Sequence, residues 1–147
     1  MEFAGQLVVA APRERVWSFV ADPRQVGWCG PGVEAIDAID ERHFTARAKV
    51  GIGVISTRFA VELELATAEA PELAIIRATG HAPGSAVEAT GEMRLSGPAE
   101  GPTTLDWQAT VGLSGTIATV GARLVEGTAT KLIGQAFDCI RTKLETA

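Results

Sequence analysis

The chain has 147 residues, of which 46% are hydrophobic and 21% are charged, and its formal net charge is −5. This length predicts one domain with a real hydrophobic core, and the acidic balance without a basic cluster argues against a nucleic-acid partner. The start of the chain has no signal-peptide pattern, and no run approaches the ~18 apolar residues of a membrane span, so we expect peripheral membrane contact at most.

The first part of the chain predicts a strand followed by two short helices. Apolar residues alternate across residues 3–9, as they do on a half-buried strand. Pro12 suits the first turn of a helix, and apolar residues follow at helical spacing across residues 16–20. The Asp22-Pro23 pair ends this helix, and the Asp22 side chain can cap the next one. Gly30-Pro31-Gly32 then turns the chain towards a sheet.

The middle of the chain predicts further strands joined by short turns. Each segment alternates apolar with polar residues, which indicates one dry and one wet face. Consecutive strands of this kind favour an antiparallel meander. A Gly/Pro-rich loop is expected at residues 80–84. The predicted strands are Val33–Ile39, Arg42–Val50, Arg58–Leu65, Leu73–Thr79, Ala89–Leu95 and Leu105–Leu113.

The remaining segment, from about Thr116 to Leu144, predicts one long helix with an apolar face. Such a helix is ~40 Å long, whereas a compact domain of this size has a radius of gyration near ~15 Å. The helix must therefore cross the whole sheet and cover its dry face. We predict an α+β fold, in which a curved antiparallel sheet of six to seven strands wraps on the long C-terminal helix.

Small residues are frequent on the predicted dry face and along the last helix. Each glycine in a helix lowers the stability of that helix by about 1 kcal/mol relative to alanine. Some other feature must therefore compensate for the glycines of the last helix. Either the helix lies close to the sheet, or the two stay apart and enclose an apolar cavity, which the curvature of the sheet favours. Such a cavity suits a hydrophobic ligand. Its predicted lining is Phe44, Phe59, Val61, Met93, Trp107, Val111, Leu124 and Thr128, with His81 and Arg123 as the nearest polar groups.

The polar residues form no recognisable catalytic or metal-binding motif. His43 lies on a wet face, and His81 falls in the 80–84 loop, where it could overhang the mouth of the cavity. We expect this mouth between that loop, the glycine-rich turn at residues 51–53 and the start of the last helix. The two histidines lack metal-ligand spacing, and no nucleophile elbow is present. Neither a metal nor a cofactor is therefore predicted.

The two cysteines, Cys29 and Cys139, are far apart in the sequence and imply no disulfide framework. Cys29 has no evident histidine partner, and we interpret it as a small buried hydrophobic residue. A reduced, cytoplasmic setting fits this usage best, although the fold could still bring the two cysteines together.

The most informative segments of the chain are Cys29–Val33, Lys49–Gly51 and Gly121–Leu124. With these segments, essentially the whole chain resembles the START-like, helix-grip superfamily and, within it, the G-subunit family of carbon monoxide dehydrogenase. The resemblance implies a single START-like ligand-binding domain over residues 1–147. It further implies an association with molybdenum-containing carbon monoxide dehydrogenase and related hydroxylases, in maturation, membrane recruitment or quinone delivery. The chain departs from the family at Ile52-Gly53, where a proline is usual, and shows no proline-rich linker or hydrophobic tail.

These observations lead to one principal hypothesis and two alternatives. The first is a non-catalytic, lipid-binding carrier of a hydrophobic small molecule, with quinone as the candidate ligand, accessory to a molybdenum hydroxylase. The second is an enzyme of the cyclase or aromatase kind, which would need His81, Asp106 or Glu88 as a proton shuttle in the cavity. The third is a ligand-free interaction module that docks a larger enzyme through an apolar patch.

Overall fold

A computed structural model describes residues 1–146 and shows one sheet covered on its inner face by a long helix. This confirms the predicted α+β architecture. The helices are α1 Arg13–Val20, α2 Pro23–Val26 and α3 Ala122–Glu145. The strands are β1 Glu2–Val9, β2 Val33–Ala38, β3 His43–Ile52, β4 Ile55–Glu69, β5 Leu73–Ala82, β6 Ser85–Ser96 and β7 Thr103–Gly115.

The seven strands pair antiparallel in the order β1-β7-β6-β5-β4-β3-β2, so the first two strands form the two edges. The β2–β3 pair is irregular between Val33 and Ala35, and the β4–β5 pair between Leu65 and Thr67. Irregularities of this kind bend a strand and increase its twist. The sheet therefore curves around α3, as the helix-grip expectation requires.

The last helix begins later than the sequence suggested, because α3 starts at Ala122 and not near Thr116. Residues Thr116–Val120 form a 3₁₀ turn, and Gly121 has a φ of 101°, which a right-handed helix cannot contain. The backbone N–H of Thr116 donates to the Gly84 carbonyl at 2.8 Å, and that of Ile117 donates to Ser85 Oγ at 3.0 Å. The 3₁₀ turn is thus fastened to the β5–β6 hairpin.

The hairpins are tighter than predicted. The expected 80–84 loop is wrong, because β5 continues to Ala82 and β6 begins at Ser85. Gly84, with a φ of 73°, allows a turn of two residues, and Gly53, with a φ of 60°, does the same between β3 and β4. His81 therefore lies on a strand.

A close-packed core lies beneath the C-terminal half of α3, against α1 and the adjacent ends of β1, β6 and β7. Val9, Val16, Val20 and Leu105 have no exposed surface. Each such side chain contributes about 1.5–3 kcal/mol by its burial. This part of the core fixes one end of the long helix on the sheet.

A disulfide joins Cys29 to Cys139, with 5.4 Å between their Cα atoms. It links the 3₁₀ turn Gly27–Cys29, which follows α2, to α3 across a sequence separation of 110 residues. The interpretation of Cys29 as an unpaired buried residue is therefore wrong. Sequence spacing could not predict the pairing, because only the packing of α3 on the N-terminal helices brings the two side chains together.

Asp22 caps α2, as predicted, because its carboxylate accepts the backbone N–H of Arg24 at 3.0 Å. Burial alone would raise the pKa of Asp22, but hydrogen bonds from Gln25 and Arg24 outweigh it and hold the pKa below its ordinary value.

None of the helices in residues 1–146 has both the length and the hydropathy of a membrane span.

Candidate ligand-binding cavity

A cavity of about 230 Å³ lies between the inner face of the sheet and the N-terminal half of α3. Strands β3 to β7 supply its floor, because their alternate residues face α3, and the helix supplies its roof. The 3₁₀ turn and Met1 complete the wall. The lining residues are Met1, Ala48, Val50, Ile52, Phe59, Val61, Ala78, Gly80, Val87, Ala89, Val111, Leu113, Ile117, Val125, Thr128, Ala129 and Leu132.

The lining is almost entirely hydrocarbon. Thr128 is the one lining residue whose side chain carries a hydrogen-bonding group, and none of the lining side chains is titratable. An apolar cavity of about 150 Å³ can hold benzene, and drug-sized ligands occupy ≈ 300–1,000 Å³. The cavity therefore suits a ring or a short hydrocarbon segment better than a large polar molecule. A carbonyl buried there without a partner would cost about 2 kcal/mol or more.

The residue sizes explain why this space is open. Ala78 on β5 is paired with Ala89 on β6, which is paired with Val111 on β7. Gly80 on β5 is likewise paired with Val87. Two alanines and a glycine in the middle of the sheet leave room that larger side chains would fill.

The structure places four of the predicted site residues in the cavity lining: Phe59, Val61, Val111 and Thr128. Their contact with a ligand stays a prediction. The sequence reasoning missed most of the small lining residues on β5 and β6. The alternation of Ala78 and Gly80 was the available signal, and the incorrect loop at residues 80–84 concealed it.

Four other predicted residues lie outside the lining. Phe44 is buried on β3 but borders a separate surface depression near Asp22 at the end of α1. Met93 and Trp107 face inwards yet pack against the close-packed core, because they lie farther along β6 and β7. Arg123 is exposed in the first turn of α3.

His81 is also outside, on the outer face of the sheet, since its neighbour Gly80 faces the cavity. Glu88 is on the same face, because Val87 and Ala89 point inwards. Asp106 is exposed, and its Oδ1 accepts a hydrogen bond from Gln6 Nε2 at 2.9 Å. None of the three candidate proton shuttles therefore faces the cavity.

Leu124 lies beside the end of the cavity and is 44% exposed. Its Cδ2 would be 2.9 Å from a Cβ atom added to Gly53, so the leucine side chain rests on the β3–β4 turn. Val54, at the tip of that turn, is fully exposed. The turn and the start of α3 thus meet where the mouth was predicted, and the opening of a mouth there stays a prediction.

Comparison with known proteins settles the family. A model of the CoxG family, which is named after the G subunit of carbon monoxide dehydrogenase, matches residues 5–145. The chain belongs to the CoxG family. This confirms the resemblance drawn from the Cys29–Val33 segment. No curated protein sequence has significant similarity to this CoxG member.

Solved structures similar to this CoxG chain share its fold. A conserved protein from Geobacillus kaustophilus has a TM-score of 0.88 at 23% identity, covering 98% of this chain and 95% of the other. The Zhui aromatase/cyclase from Streptomyces sp. R1128 has a TM-score of 0.67 at 16% identity, covering 98% and 93%. A START superfamily protein from Mycobacterium smegmatis has a TM-score of 0.67 at 14% identity, covering 97% and 96%. These likenesses establish the START-type helix-grip fold.

Proposed function

We propose that this protein is a non-catalytic carrier of a hydrophobic small molecule, an isoprenoid quinone, accessory to a molybdenum hydroxylase of the carbon monoxide dehydrogenase type. The observation that carries the proposal is the apolar cavity beneath α3. A hydrocarbon lining with one hydroxyl offers burial to a lipophilic guest and offers little to a reacting polar group.

The accessory role rests on membership of the CoxG family, whose name refers to a component of carbon monoxide dehydrogenase. A quinone is chemically suitable for such a role because it accepts the electrons that an oxidising enzyme releases. A cytoplasmic site of action, with peripheral membrane contact at most, is part of the proposal. The Cys29–Cys139 disulfide argues against this location, since disulfides are uncommon in reducing compartments. Counting the free thiols of the protein in freshly lysed cells tests the location: two free thiols support a cytoplasmic site, and none contradicts it.

The cyclase alternative draws on the similarity to an aromatase/cyclase structure. That reaction class needs a proton donor or acceptor close to the substrate. In this chain His81, Glu88 and Asp106 are directed away from the cavity. The geometry therefore favours the carrier over the enzyme.

The test is native mass spectrometry of gently purified protein, followed by solvent extraction and identification of the released lipid. We expect a bound quinone in the wild type and its loss in Ala78→Leu, which places a larger side chain in the cavity. Ala60→Leu is the matched control, because Ala60 is exposed on β4 and lines no part of the cavity. A folded wild type that carries no lipophile and takes up no quinone would contradict the proposal.

A further inference from the structure

A second recess lies on the other flank of α3, beside the edge strand β1. This recess, the β1–α3 groove, has a volume of about 480 Å³ and is open to solvent. Phe3, Gly5 and Trp107 form its sheet side, and Ile133, Gly134 and Phe137 form its helix side. Glu2, Gln6 and Thr130 add polar groups at its border. The groove shares no lining residue with the cavity.

The groove and the cavity are neighbours on the same inner face. Met1, just before β1, lines the cavity, and Phe3, the next inward-facing residue, lines the groove. Two residues along a strand span ~7 Å. Phe3 is paired with Ala109, which is paired with Gly91, and a Cβ atom added to Gly91 meets no atom within 4 Å. Small side chains and free space therefore separate the two recesses.

The two recesses differ in chemistry. The cavity offers hydrocarbon, whereas the groove contains an aromatic pair, Trp107 and Phe137, whose ring centroids are 5.0 Å apart. The Trp107 indole lies over Gly5, because its Nε1 would be 2.9 Å from a Cβ atom on that glycine. Gly5 thus lets the indole lie flat on the strand at the base of the groove.

The indole N–H of Trp107 has no acceptor within residues 1–146. It is accessible, because no buried side-chain nitrogen or oxygen in that range lacks a hydrogen-bond partner. An indole N–H is a donor only, and at an apolar site it usually finds an acceptor. The groove therefore presents a free donor beside two aromatic rings.

We infer that the β1–α3 groove is the second half of the ligand site. It holds a flat ring carrying a carbonyl, which lies beside the Trp107–Phe137 pair and accepts the indole N–H, while the cavity holds the hydrocarbon tail. The inference rests on the proposed carrier function and adds the pose of the ligand. It also gives Trp107 a direct role in recognition, although that residue lies outside the cavity.

Fluorescence provides the test, since quinones quench indole emission on contact. The chain has three tryptophans, so Trp17→Phe with Trp28→Phe leaves Trp107 as the single fluorophore. In this background a naphthoquinone with a short isoprenoid chain should quench at least half of the emission at saturation. An isoprenoid alcohol of the same chain length should bind without quenching.

Trp107→Phe removes the donor and keeps an aromatic ring. We expect it to weaken binding of the tailed naphthoquinone about tenfold and to leave binding of the isoprenoid alcohol unchanged. Trp17→Phe is the matched control, because Trp17 packs in the close-packed core and not in the groove, and it should change neither affinity. Thermal melting of each variant confirms that it is folded.

Two outcomes separate this inference from the carrier proposal. If the tailed quinone binds tightly but leaves Trp107 emission unchanged, the ring is not in the groove and the inference is wrong, while the carrier function stands. If the folded protein binds neither the quinone nor the alcohol, the carrier function itself fails.

Discussion

The two halves of α3 cover the same sheet with opposite results. Beneath its C-terminal half, Leu7, Leu105 and Ile140 belong to one close-packed core. Beneath its N-terminal half, Ala78 and Ala89 face the helix across a cavity. The sheet and α3 run through both halves. Smaller side chains beneath the N-terminal half, together with the packing of α1 against the C-terminal half, distinguish the candidate binding site from the core.

This difference shows how a small protein can keep a cavity open. The packed half and the Cys29–Cys139 disulfide fix the height of α3 above the sheet at one end. The 3₁₀ turn, hydrogen-bonded to Gly84 and Ser85, supports the chain at the other end. The helix between these supports cannot collapse onto the alanines without losing the contacts at both ends.

The sharpest test of the comparison is a pair of leucines on β7. Leu105 is fully buried in the packed half, and Leu113 lines the cavity. Leu105→Ala should lower the free energy of unfolding by about 3–5 kcal/mol, because it creates a new void. Leu113→Ala should cost about 2 kcal/mol, since it only enlarges an existing one. Denaturant unfolding measures both, and equal losses would show that the two halves are packed alike.

Removing the disulfide should have the next largest effect on the free energy of unfolding. Cys139→Ala removes a cross-link across 110 residues and should lower the free energy of unfolding by roughly 2–4 kcal/mol. Treating the wild type with a reductant should lower its melting temperature by a similar amount and should leave the melting of Cys139→Ala unchanged. Should reduction have no effect on the wild type, the disulfide does not hold α3.

The cap on α2 should have a smaller, pH-dependent effect at the edge of the packed half. Asp22→Ala should cost about 1 kcal/mol. The pKa of Asp22 is lower in the folded state than its ordinary value of 3.8. The stabilisation that the Asp22 carboxylate provides is therefore complete above pH 3.8, and it is lost as the pH falls through the lower pKa of the folded state.

Asp22→Asn keeps a capping side chain but cannot titrate, so it is the control for this pH dependence. Unfolding free energies between pH 5 and the acid limit should fall more steeply for the wild type than for Asp22→Asn. Parallel curves would exclude Asp22 as the titrating group.

The smallest stability change is expected for Gly91→Leu, at a glycine that lies between the cavity and the groove. An added Cβ would have no atom within 4 Å, and we expect a change below about 1 kcal/mol together with loss of ligand binding. Gly5→Leu is the contrasting variant, because its Cβ would be 2.8 Å from the Trp107 ring. It should destabilise the protein clearly, and unfolding by Gly91→Leu would mean that the interior is close-packed there.

The sequence predicted the sheet well because alternation of apolar and polar residues sets which face each strand buries. Trp107 illustrates this, since its parity with Leu105 places it on the inner face as predicted. His81 illustrates the limit, because glycine and proline beside it are equally typical of a loop and of the end of a strand. Its face could be assigned only once the β5–β6 turn was known to be two residues long.

The cysteine pair and the β1–α3 groove were beyond sequence reasoning for another reason. Both arise where segments more than 100 residues apart in the chain come together, as Cys29 does with Cys139 and Gly5 with Trp107. Local patterns identify elements and their faces, but not which side chains of distant elements meet. The position of α3 across the sheet decides both features.

The contact between Leu124 and the Gly53 turn has a kinetic consequence. Within residues 1–146, no hydrogen bond joins the β3–β4 turn to α3, whereas the β5–β6 turn is held by two to the 3₁₀ segment. Displacing the β3–β4 turn from α3 breaks only carbon–carbon contacts, each worth about 0.1–0.2 kcal/mol. For a mouth at this turn, as predicted, the bulk of Leu124 would slow the escape of a bound lipid. Leu124→Ala should then shorten the residence time without altering the cavity volume, since Leu124 is not among the lining residues.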